Sequence, residues 1–266
     1  MVASRGRRPT LPTRSKRLLP DKVAAHPQRA ADAVEKRGTP ELRSFGRRRG
    51  RGLNARQLAL LNDVLPRVNL DLAGAAPRSL VSLFPTPVCE VWLEAGFGGG
   101  EHLIWQARQN PHVGFIGCEP FESGIVKVLA AIEEFALTNI RLYADDARPL
   151  LRWLPDASLQ RAFILFPDPW PKKRHVKRRL VARPLLELLA RVMALGGELR
   201  VATDIGDYAR TILLSIRAQS AFEWQVTGPA NWRERGPDWP QTRYEAKAAR
   251  EGRRRYFFRF CRTTCP

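Results

Sequence analysis

At 266 residues, 44% of them hydrophobic, the chain is long enough to form one large globular domain with a substantial core. Its 45 Lys and Arg residues against 26 Asp and Glu residues give a formal net charge of +19, which predicts attraction to polyanions and to nucleic acid in particular. Because the sequence has no apolar run of ~20 residues, no secretory signal and no closely spaced cysteine pairs, we expect a cytoplasmic protein without a membrane helix, a cysteine zinc site or a disulfide scaffold.

The first predicted element is an arm without regular structure. Through Arg56 the chain carries 16 Lys and Arg residues against 4 Asp and Glu residues, and apolar residues are few before Leu53. Such a composition cannot bury enough apolar surface to offset the entropy of ordering the chain. We therefore predict a disordered basic extension over residues 1–45, followed by a folded domain over residues 46–266.

From Val88 onward, short apolar runs alternate with longer helical periods, which is the pattern of a parallel sheet flanked by helices. The predicted strands are, in chain order, VCEVWLEAG, GFIGCE, IRLYAD, RAFILF and ELRVATD, and the alternating tail RRYFFRF predicts a late antiparallel strand. Predicted helices cover about Glu101 to Gln109, Phe121 to Ala136 and Tyr208 to Ala218, and a further helix, RPLLELLARVMA, stops at Gly196-Gly197. The sequence therefore predicts a doubly wound, mostly parallel α/β domain, in which ligands bind at the carboxyl ends of the strands.

Residues at the ends of the first three predicted strands suit an adenosine ligand. The glycines Gly96, Gly98 and Gly100 allow the backbone to pass close to a ligand. Glu119 ends the second strand, roughly 20 residues further on, where a carboxylate accepts hydrogen bonds from ribose hydroxyls. Asp145-Asp146 ends the third strand, in a position suited to the adenine edge.

The spacing of the first loop argues against a dinucleotide. Dinucleotide-binding loops usually read Gly-x-Gly-x-x-Gly and hold a pyrophosphate at a helix N-terminus, whereas this loop reads Gly-x-Gly-x-Gly and lies just after Glu94. A carboxylate there repels a pyrophosphate and attracts a cation. We therefore predict that the cofactor is S-adenosylmethionine, with its sulfonium and ammonium groups, rather than NAD.

The fourth predicted strand ends in FPDPWPKKRH, which spans Phe166 to His175. In this topology the end of that strand lies beside the transferable group, so Asp168 and Trp170 are predicted to form the acceptor wall. Proline fixes φ and removes a donor, which makes the loop stiff. The basic residues that follow are predicted to meet a phosphate backbone: Lys172, Lys173, Arg174, His175, Lys177, Arg178 and Arg179.

Together these segments resemble the bacterial tRNA (guanine-N7-)-methyltransferase family. FPDPWPKKRHVKRRL is close to the signature of that family, EAGFGGGEH matches its cofactor loop, and TDIGDYA and TRYE lie where the family has a Thr-Asp and a Thr-Lys-Phe-Glu segment. The resemblance covers about Arg43 to Phe260. It implies the seven-stranded, Rossmann-like class I methyltransferase fold and the transfer of a methyl group to N7 of a guanosine in the variable loop of tRNA.

The resemblance also implies roles for single residues. Contacts with the cofactor or the reacting atoms are implied for Glu94, Glu119, Asp146 and Asp168, with Asp168 as the catalytic residue. Substrate contacts are implied for Lys172, Asp204, Thr242, Arg243, Tyr244 and Glu245, and RNA contacts for Arg174, His175, Val176, Lys177, Arg178 and Arg179. The chain departs from the family pattern at Cys118, Asp145, Arg243 and Tyr244, where the family usually has Ile, Gly, Lys and Phe.

Two other functions remain open from the residues alone. An amino-group methyltransferase typically reads Asn/Asp-Pro-Pro-aromatic at the fourth strand, and Asp-Pro-Trp-Pro breaks that pattern. A basic RNA-binding protein with a non-catalytic methyltransferase fold has no need of the glycine loop and the four acids. The sequence also leaves open whether Asp145 or Asp146 faces the cofactor, whether Asp168 acts as a base or orients the guanine, and whether the protein is a monomer or a homodimer.

Overall fold

The computed structural model describes residues 1–2, 48–50 and 52–263. One compact unit spans Ser44–Pro266, and Met1–Arg43 forms a separate unit. The α/β fold belongs to the described part of Ser44–Pro266. The predicted basic extension over residues 1–45 lies outside the described residues, except for residues 1 and 2.

A seven-stranded sheet forms the centre of the domain, in the order β3-β2-β1-β4-β5-β7-β6. Neighbouring strands from β3 to β5 pair in parallel, whereas β7 pairs antiparallel with both β5 and β6. This confirms the predicted mostly parallel α/β sheet with a late antiparallel strand. The strands are β1 (Glu90–Ala95), β2 (Val113–Cys118), β3 (Ile140–Tyr143), β4 (Leu159–Leu165), β5 (Met193–Thr203), β6 (Phe222–Trp224) and β7 (Tyr256–Arg262).

Helices connect the strands and cover both faces of the sheet. They are α1 (Ala55–Ala59), α2 (Leu65–Val68), α3 (Glu101–Gln109), α4 (Glu122–Glu134), α5 (Ala147–Trp153), α6 (Arg183–Val192), α7 (Gly206–Arg217), α8 (Ala230–Arg233) and α9 (Arg243–Arg250). A π-helical turn, Leu60–Val64, joins α1 to α2, and 3₁₀ turns cover Leu80–Leu83 and Lys173–Arg178. None of the described helices has both the length and the apolarity that crossing a bilayer demands.

Strand β1, the third of the seven in the sheet, explains where a ligand can bind. It pairs in parallel with β2 on one side and with β4 on the other, because the chain builds β2 and β3 outward and then crosses back to β4. Successive side chains of a strand point to opposite faces, so Leu93 and Trp92 enter two separate apolar clusters, one on each face of the sheet. A crevice opens at the carboxyl ends of the strands where the order reverses, and here those strands are β1 and β4.

The clearest difference between the predicted and observed elements lies before β5. The apolar period carries the predicted helix through Ala194 to the glycine pair at 196–197, whereas α6 ends at Val192 and Met193 already pairs with Leu159 of β4. Met193 is 1% exposed, so one buried residue fits a helical and a strand pattern equally well. The prediction also omits the helices α1, α2, α5, α8 and α9, none longer than eight residues, and the three-residue β6, which are too short to show a clear period.

Helix α4 approaches the loop after β1 through a contact between two glycines. A Cβ atom added to Gly124 would lie 2.0 Å from the carbonyl oxygen of Gly98. Because that neighbour is backbone rather than a flexible side chain, only glycine fits at residue 124 without a shift of the loop. The same helix packs Val128 against Gly100, where an added Cβ would lie 2.3 Å from the valine side chain.

We predict that Gly124→Ala lowers the free energy of unfolding by about 1–3 kcal/mol, because the added methyl group overpacks the contact with the Gly98 carbonyl. Alanine is the better helix former by about 1 kcal/mol, so a net loss of stability would show that the clash is the larger effect. Urea unfolding of the two proteins measures the difference.

Gly74→Ala is the matched control, since an added Cβ there meets no atom within 4 Å. It should change stability by less than about 0.5 kcal/mol. A Gly124→Ala protein as stable as the wild type would contradict the tight helix–loop contact.

Candidate active site

A cavity of about 370 Å³ lies at the carboxyl ends of the first four strands. It brings together several of the predicted site residues, namely Gly96, Gly98, Glu119, Asp146, Asp168 and Tyr244. Apolar side chains complete its walls: Ala95, Cys118, Pro120, Phe121, Ala147, Leu165 and Leu180. A concave space with apolar walls and a few convergent polar groups is typical of a small-molecule site.

The glycine loop forms one wall of the cavity with bare backbone. Gly96 and Gly98 have φ angles of +78° and +57°, a left-handed conformation that residues with a Cβ rarely adopt. A Cβ added to Gly96 would meet no atom within 4 Å, so it would project into open space. At Gly98 an added Cβ would lie 3.0 Å from the ring of Tyr244. The loop is thus open at Gly96 and covered by Tyr244 at Gly98.

Glu119 ties the glycine loop to the end of β2. Its Oε2 accepts a hydrogen bond from the Gly98 N–H at 2.8 Å, and its Oε1 accepts one from the Phe121 N–H at 2.9 Å. Burial raises the pKa of Glu119, and the two N–H donors oppose that rise. The carboxyl group therefore positions the loop and lines the cavity at the same time.

Both acids after β3 line the cavity, and each has an arginine partner. Asp146 accepts from the N–H of Arg148 at 2.9 Å, which makes it the N-cap of α5, and its Oδ2 lies 2.6 Å from the Arg148 guanidinium. Asp145 pairs with Arg48 at 2.5 Å. The structure therefore places both acids at the cavity, and Asp146 has the less exposed side chain of the two, at 14% against 39%.

The loop from Phe166 to Pro171, called the proline loop below, is held in an unusual conformation. Phe166 and Trp170 have φ angles of +51° and +42°, which costs bulky residues about 1–3 kcal/mol each and persists only where the surroundings enforce it. Trp170 has its ring centroid 5.0 Å from the Arg178 guanidinium carbon and 5.9 Å from the His175 ring centroid. Strain of this kind clusters at functional sites.

Arg179 links the proline loop to helix α7. Its side chain is 1% exposed and donates to the Pro169 carbonyl at 3.0 Å, to Thr211 Oγ1 at 2.8 Å and to Asp207 Oδ2 at 2.6 Å. A guanidinium enclosed in this way cannot meet a phosphate backbone. This differs from the predicted RNA contact, because Arg179 is committed to helix α7 and to the loop.

Asp168 stands alone among the acids of the cavity. Among the described residues it has no hydrogen-bond or ion-pair partner, although the other acids that line the cavity are all engaged. Its side chain is exposed, and the protein atoms around the carboxyl group at the cavity edge partly desolvate it and so raise the pKa of Asp168. An unpaired carboxyl group on a stiff loop is available to bind a ligand.

Two predicted cofactor residues do not line the cavity. Glu94 is 4% exposed and lies behind the glycine loop, where its Oε2 is 2.8 Å from His102 Nδ1. At Gly100 a side chain would collide with Val128, so packing alone explains why residue 100 is glycine.

The TRYE segment begins helix α9, and most of its side chains have partners within the protein. Thr242 is the N-cap and accepts from the Glu245 N–H at 3.2 Å, while Glu245 pairs with Arg235 at 3.1 Å. Arg243 lies 3.5 Å from Glu101 at the start of α3. Of the four residues of this segment, only Tyr244 lines the cavity.

The basic segment after the proline loop forms a 3₁₀ turn over Lys173–Arg178. Lys172 and most of the turn lie outside the cavity lining, and Asp204 pairs with Arg253 at 2.7 Å. The predicted RNA-contacting residues of the turn are exposed or half-buried: Arg174, His175, Val176, Lys177 and Arg178.

Comparison with known proteins identifies the family. A family model described as "Putative methyltransferase" matches residues 89–258. A tRNA (guanine-N(7)-)-methyltransferase of Chelativorans sp. is 48% identical over 89% of this chain and 98% of its own, and that of Rhodospirillum rubrum is 48% identical over 84% and 89%. The chain belongs to the tRNA (guanine-N(7)-)-methyltransferase family.

The member from Rhizobium meliloti is 49% identical over 82% of this chain and 94% of its own. Among solved structures, the 16S rRNA methyltransferase KamB is 17% identical, with a TM-score of 0.48 over 66% of this chain and 89% of that chain.

Some residues of this candidate site have no signal in the sequence. Arg48 and Arg148, which engage the two acids after β3, are ordinary members of a basic chain until their partners are known. Phe121 follows a predicted strand and reads as the first residue of a helix, whereas it also lines the cavity. Only the tertiary structure selects these residues.

We predict that Arg179→Met destabilises the protein by about 1–3 kcal/mol, because methionine keeps the length of the side chain but leaves the Pro169 carbonyl without its donor. Urea unfolding measures this loss. Arg183→Met is the control, since the Arg183 side chain is 74% exposed and, within the described part of the chain, its one ion pair is with Glu187 on the same helix; it should change stability by less than about 0.5 kcal/mol. Equal effects of the two substitutions would contradict this link between the proline loop and α7.

Proposed function

We propose that this protein transfers a methyl group from S-adenosylmethionine to N7 of a guanosine in tRNA, and that the guanosine lies in the variable loop. Family membership supports the reaction and the substrate class. The observation that carries the proposal within the structure is Asp168, which has no ion-pair partner among the described residues and is held on the proline loop at the edge of a glycine-lined cavity. A tRNA substrate also favours the cytoplasm as the place of the reaction.

The cavity fits S-adenosylmethionine in shape and charge. An added Cβ at Gly96 would fill open space, as expected where backbone must pass close to a ligand. In our proposal Glu119 accepts hydrogen bonds from the ribose hydroxyls, Asp146 lies near the adenine, and the apolar walls contact the ring. Four carboxyl groups around the cavity, at Glu119, Asp145, Asp146 and Asp168, favour a cationic ligand over a pyrophosphate.

The chemistry requires alignment more than proton transfer. S-adenosylmethionine, when bound, supplies an electrophilic methyl group, and guanine N7 carries an in-plane lone pair and no proton. The protein therefore has to hold the guanine at the correct angle. We propose that Asp168 accepts a hydrogen bond from the N–H edge of the base, and that Trp170, whose ring contacts His175 and Arg178, packs against the unstacked base.

The surface outside the cavity suits the tRNA backbone. Lys172 and the outward-facing residues of the 3₁₀ turn, Arg174 and Lys177, lie directly after the proline loop. Cations at that place hold phosphates while the loop receives the base. We also propose that residues 46–266 form the methyltransferase domain, and that the basic residues of the extension over 1–45 add attraction for RNA without contributing to recognition of the guanine.

We predict that Asp168→Ala reduces single-turnover methyl transfer at saturating tRNA by at least about 100-fold, because one preorganised polar contact to the reacting base is lost. The dissociation constant for tRNA should change less than about threefold, since many cations share the backbone contacts. Transfer of labelled methyl groups and filter binding measure the two quantities.

The exposed Asp63→Ala is the control for the loss of one negative charge, because Asp63 lies outside the cavity lining. It should leave both quantities unchanged. Near wild-type transfer by Asp168→Ala would contradict the assignment of Asp168.

We predict that, as the pH is lowered, cofactor affinity is lost at a higher pH than it would be if Glu119 had the pKa of an ordinary glutamate. Burial raises the pKa of Glu119, and the ribose hydroxyls donate to its ionised form, so affinity is full above that raised pKa and is lost as the pH falls through it. At neutral pH Glu119→Gln should weaken binding by about 1–3 kcal/mol and flatten the pH dependence.

Calorimetric titration with S-adenosylhomocysteine over a pH series tests this. The pKa of Asp168 is raised as well, so Asp168→Asn is the control and should keep most of the pH dependence. If Asp168→Asn rather than Glu119→Gln flattens the curve, the ribose contact is assigned to the wrong acid.

A further inference from the structure

Behind the glycine loop lies a row of buried polar side chains that the proposed reaction does not use. Glu94 on β1 and His102 and Gln106 on α3 are 4%, 2% and 2% exposed. The His102 ring packs against Phe163 and Trp239, with ring centroids 4.5 Å and 5.9 Å away. Buried polar groups need hydrogen-bond partners, and here each group is the partner of the next.

Two backbone carbonyls determine the direction of these hydrogen bonds. The Gln106 Nε2 lies 2.8 Å from the Asp238 carbonyl, and the Asn110 Nδ2 lies 3.0 Å from the Gln106 carbonyl and 3.1 Å from Gln106 Oε1. A carbonyl oxygen only accepts, so an amide nitrogen must face it in both side chains. The atom of Gln106 that lies 3.2 Å from His102 Nε2 is therefore the amide nitrogen, which only donates.

The tautomer of His102 follows from this direction. Its Nε2 accepts from Gln106, so Nε2 carries no proton and the neutral ring carries its proton on Nδ1. That proton is donated to Glu94 Oε2 at 2.8 Å. The relay thus runs from two backbone carbonyls through Gln106 and His102 to one defined oxygen of Glu94.

No cationic side chain of the described residues balances Glu94. Among the residues that the structure describes, its one ion-pair contact is His102, which the relay keeps neutral. A buried carboxylate without a positive partner is costly. The next residues of the chain, Ala95 and Gly96, line the cavity, so a cation bound at the glycine loop would lie close to Glu94.

We propose that His102 is a positioning residue for the amino-acid end of the cofactor: its Nδ1–H holds one oxygen of Glu94 so that the carboxylate, from behind the glycine loop, attracts the ammonium group of a ligand bound at that loop. The proposal rests on the proposed function, because it requires S-adenosylmethionine in this cavity. If it is correct, His102 raises the affinity for ligands that carry the ammonium group but not the affinity for ligands that lack it. A purely structural His102 would affect all adenosine ligands alike.

Two ligands separate these cases. S-adenosylhomocysteine carries the α-ammonium group, whereas 5′-methylthioadenosine has the same adenosine and sulfur but no amino-acid end. Calorimetry with the full-length protein should show His102→Leu weakening S-adenosylhomocysteine by about 10-fold or more and 5′-methylthioadenosine by less than about twofold. His102→Asn places an amide N–H near the position of Nδ1, so it should recover most of the affinity.

Each other outcome overturns the proposal in a recognisable way. An equal loss for both ligands would show a structural role only, and no loss for either would show that Glu94 needs no orientation. Wild-type protein that binds neither ligand would instead refute the cofactor assignment itself.

A measurement on the wild-type protein covers the case in which His102→Leu does not fold. Two-bond ¹H–¹⁵N correlation spectra of the histidine rings distinguish the two tautomers. We expect His102, assigned by comparison with His102→Asn, to be neutral with its proton on Nδ1. A proton on Nε2, or a doubly protonated ring at neutral pH, would overturn the relay on which the proposal is built.

Discussion

The site depends on the contact between the Gly98 carbonyl and helix α4 at Gly124. The helix can come this close only because residue 124 has no side chain. At this distance the N-terminus of α4 and the end of β2 lie beside the glycine loop, and the Gly98 N–H reaches the Glu119 carboxylate at 2.8 Å. The shape of the loop is therefore set partly by a glycine that lies outside it, and the acid proposed to hold the ribose is bound to the same loop through the Gly98 N–H.

Much of the fold and the centre of the site could be predicted from sequence because both follow from local rules. The strands of a parallel sheet all end at the same edge. The residues that follow them therefore lie close together there, independently of the details of packing. For that reason the sequence alone predicts one shared site for four residues that line the cavity in the structure, namely Gly96, Glu119, Asp146 and Asp168. The long helices and buried strands had clear periods, whereas Met193 satisfied two periods and only its pairing with Leu159 decides between them.

What sequence could not predict is which charges face outward. Arg179 belongs to a run of basic residues in which every member looks alike, yet it alone of that run is buried, because Asp207 and Thr211 bind it from a helix 28 and 32 residues further along the chain. Glu94 looked like a wall of the cavity and lies behind it. Burial is decided by partners distant in the chain, and a single sequence carries no signal of them.

The position of β7 has a consequence for how the protein is made. Tyr256–Arg262 lies between β5 and β6, although both of those strands precede it in the chain. During synthesis the parallel part of the sheet can assemble as it emerges, but β5 keeps an open edge and Phe222–Trp224 has no strand to join until β7 is translated. An open edge of a sheet invites pairing with other chains. A ribosome that stalls before Tyr256 would therefore release a nearly complete enzyme in its most aggregation-prone form.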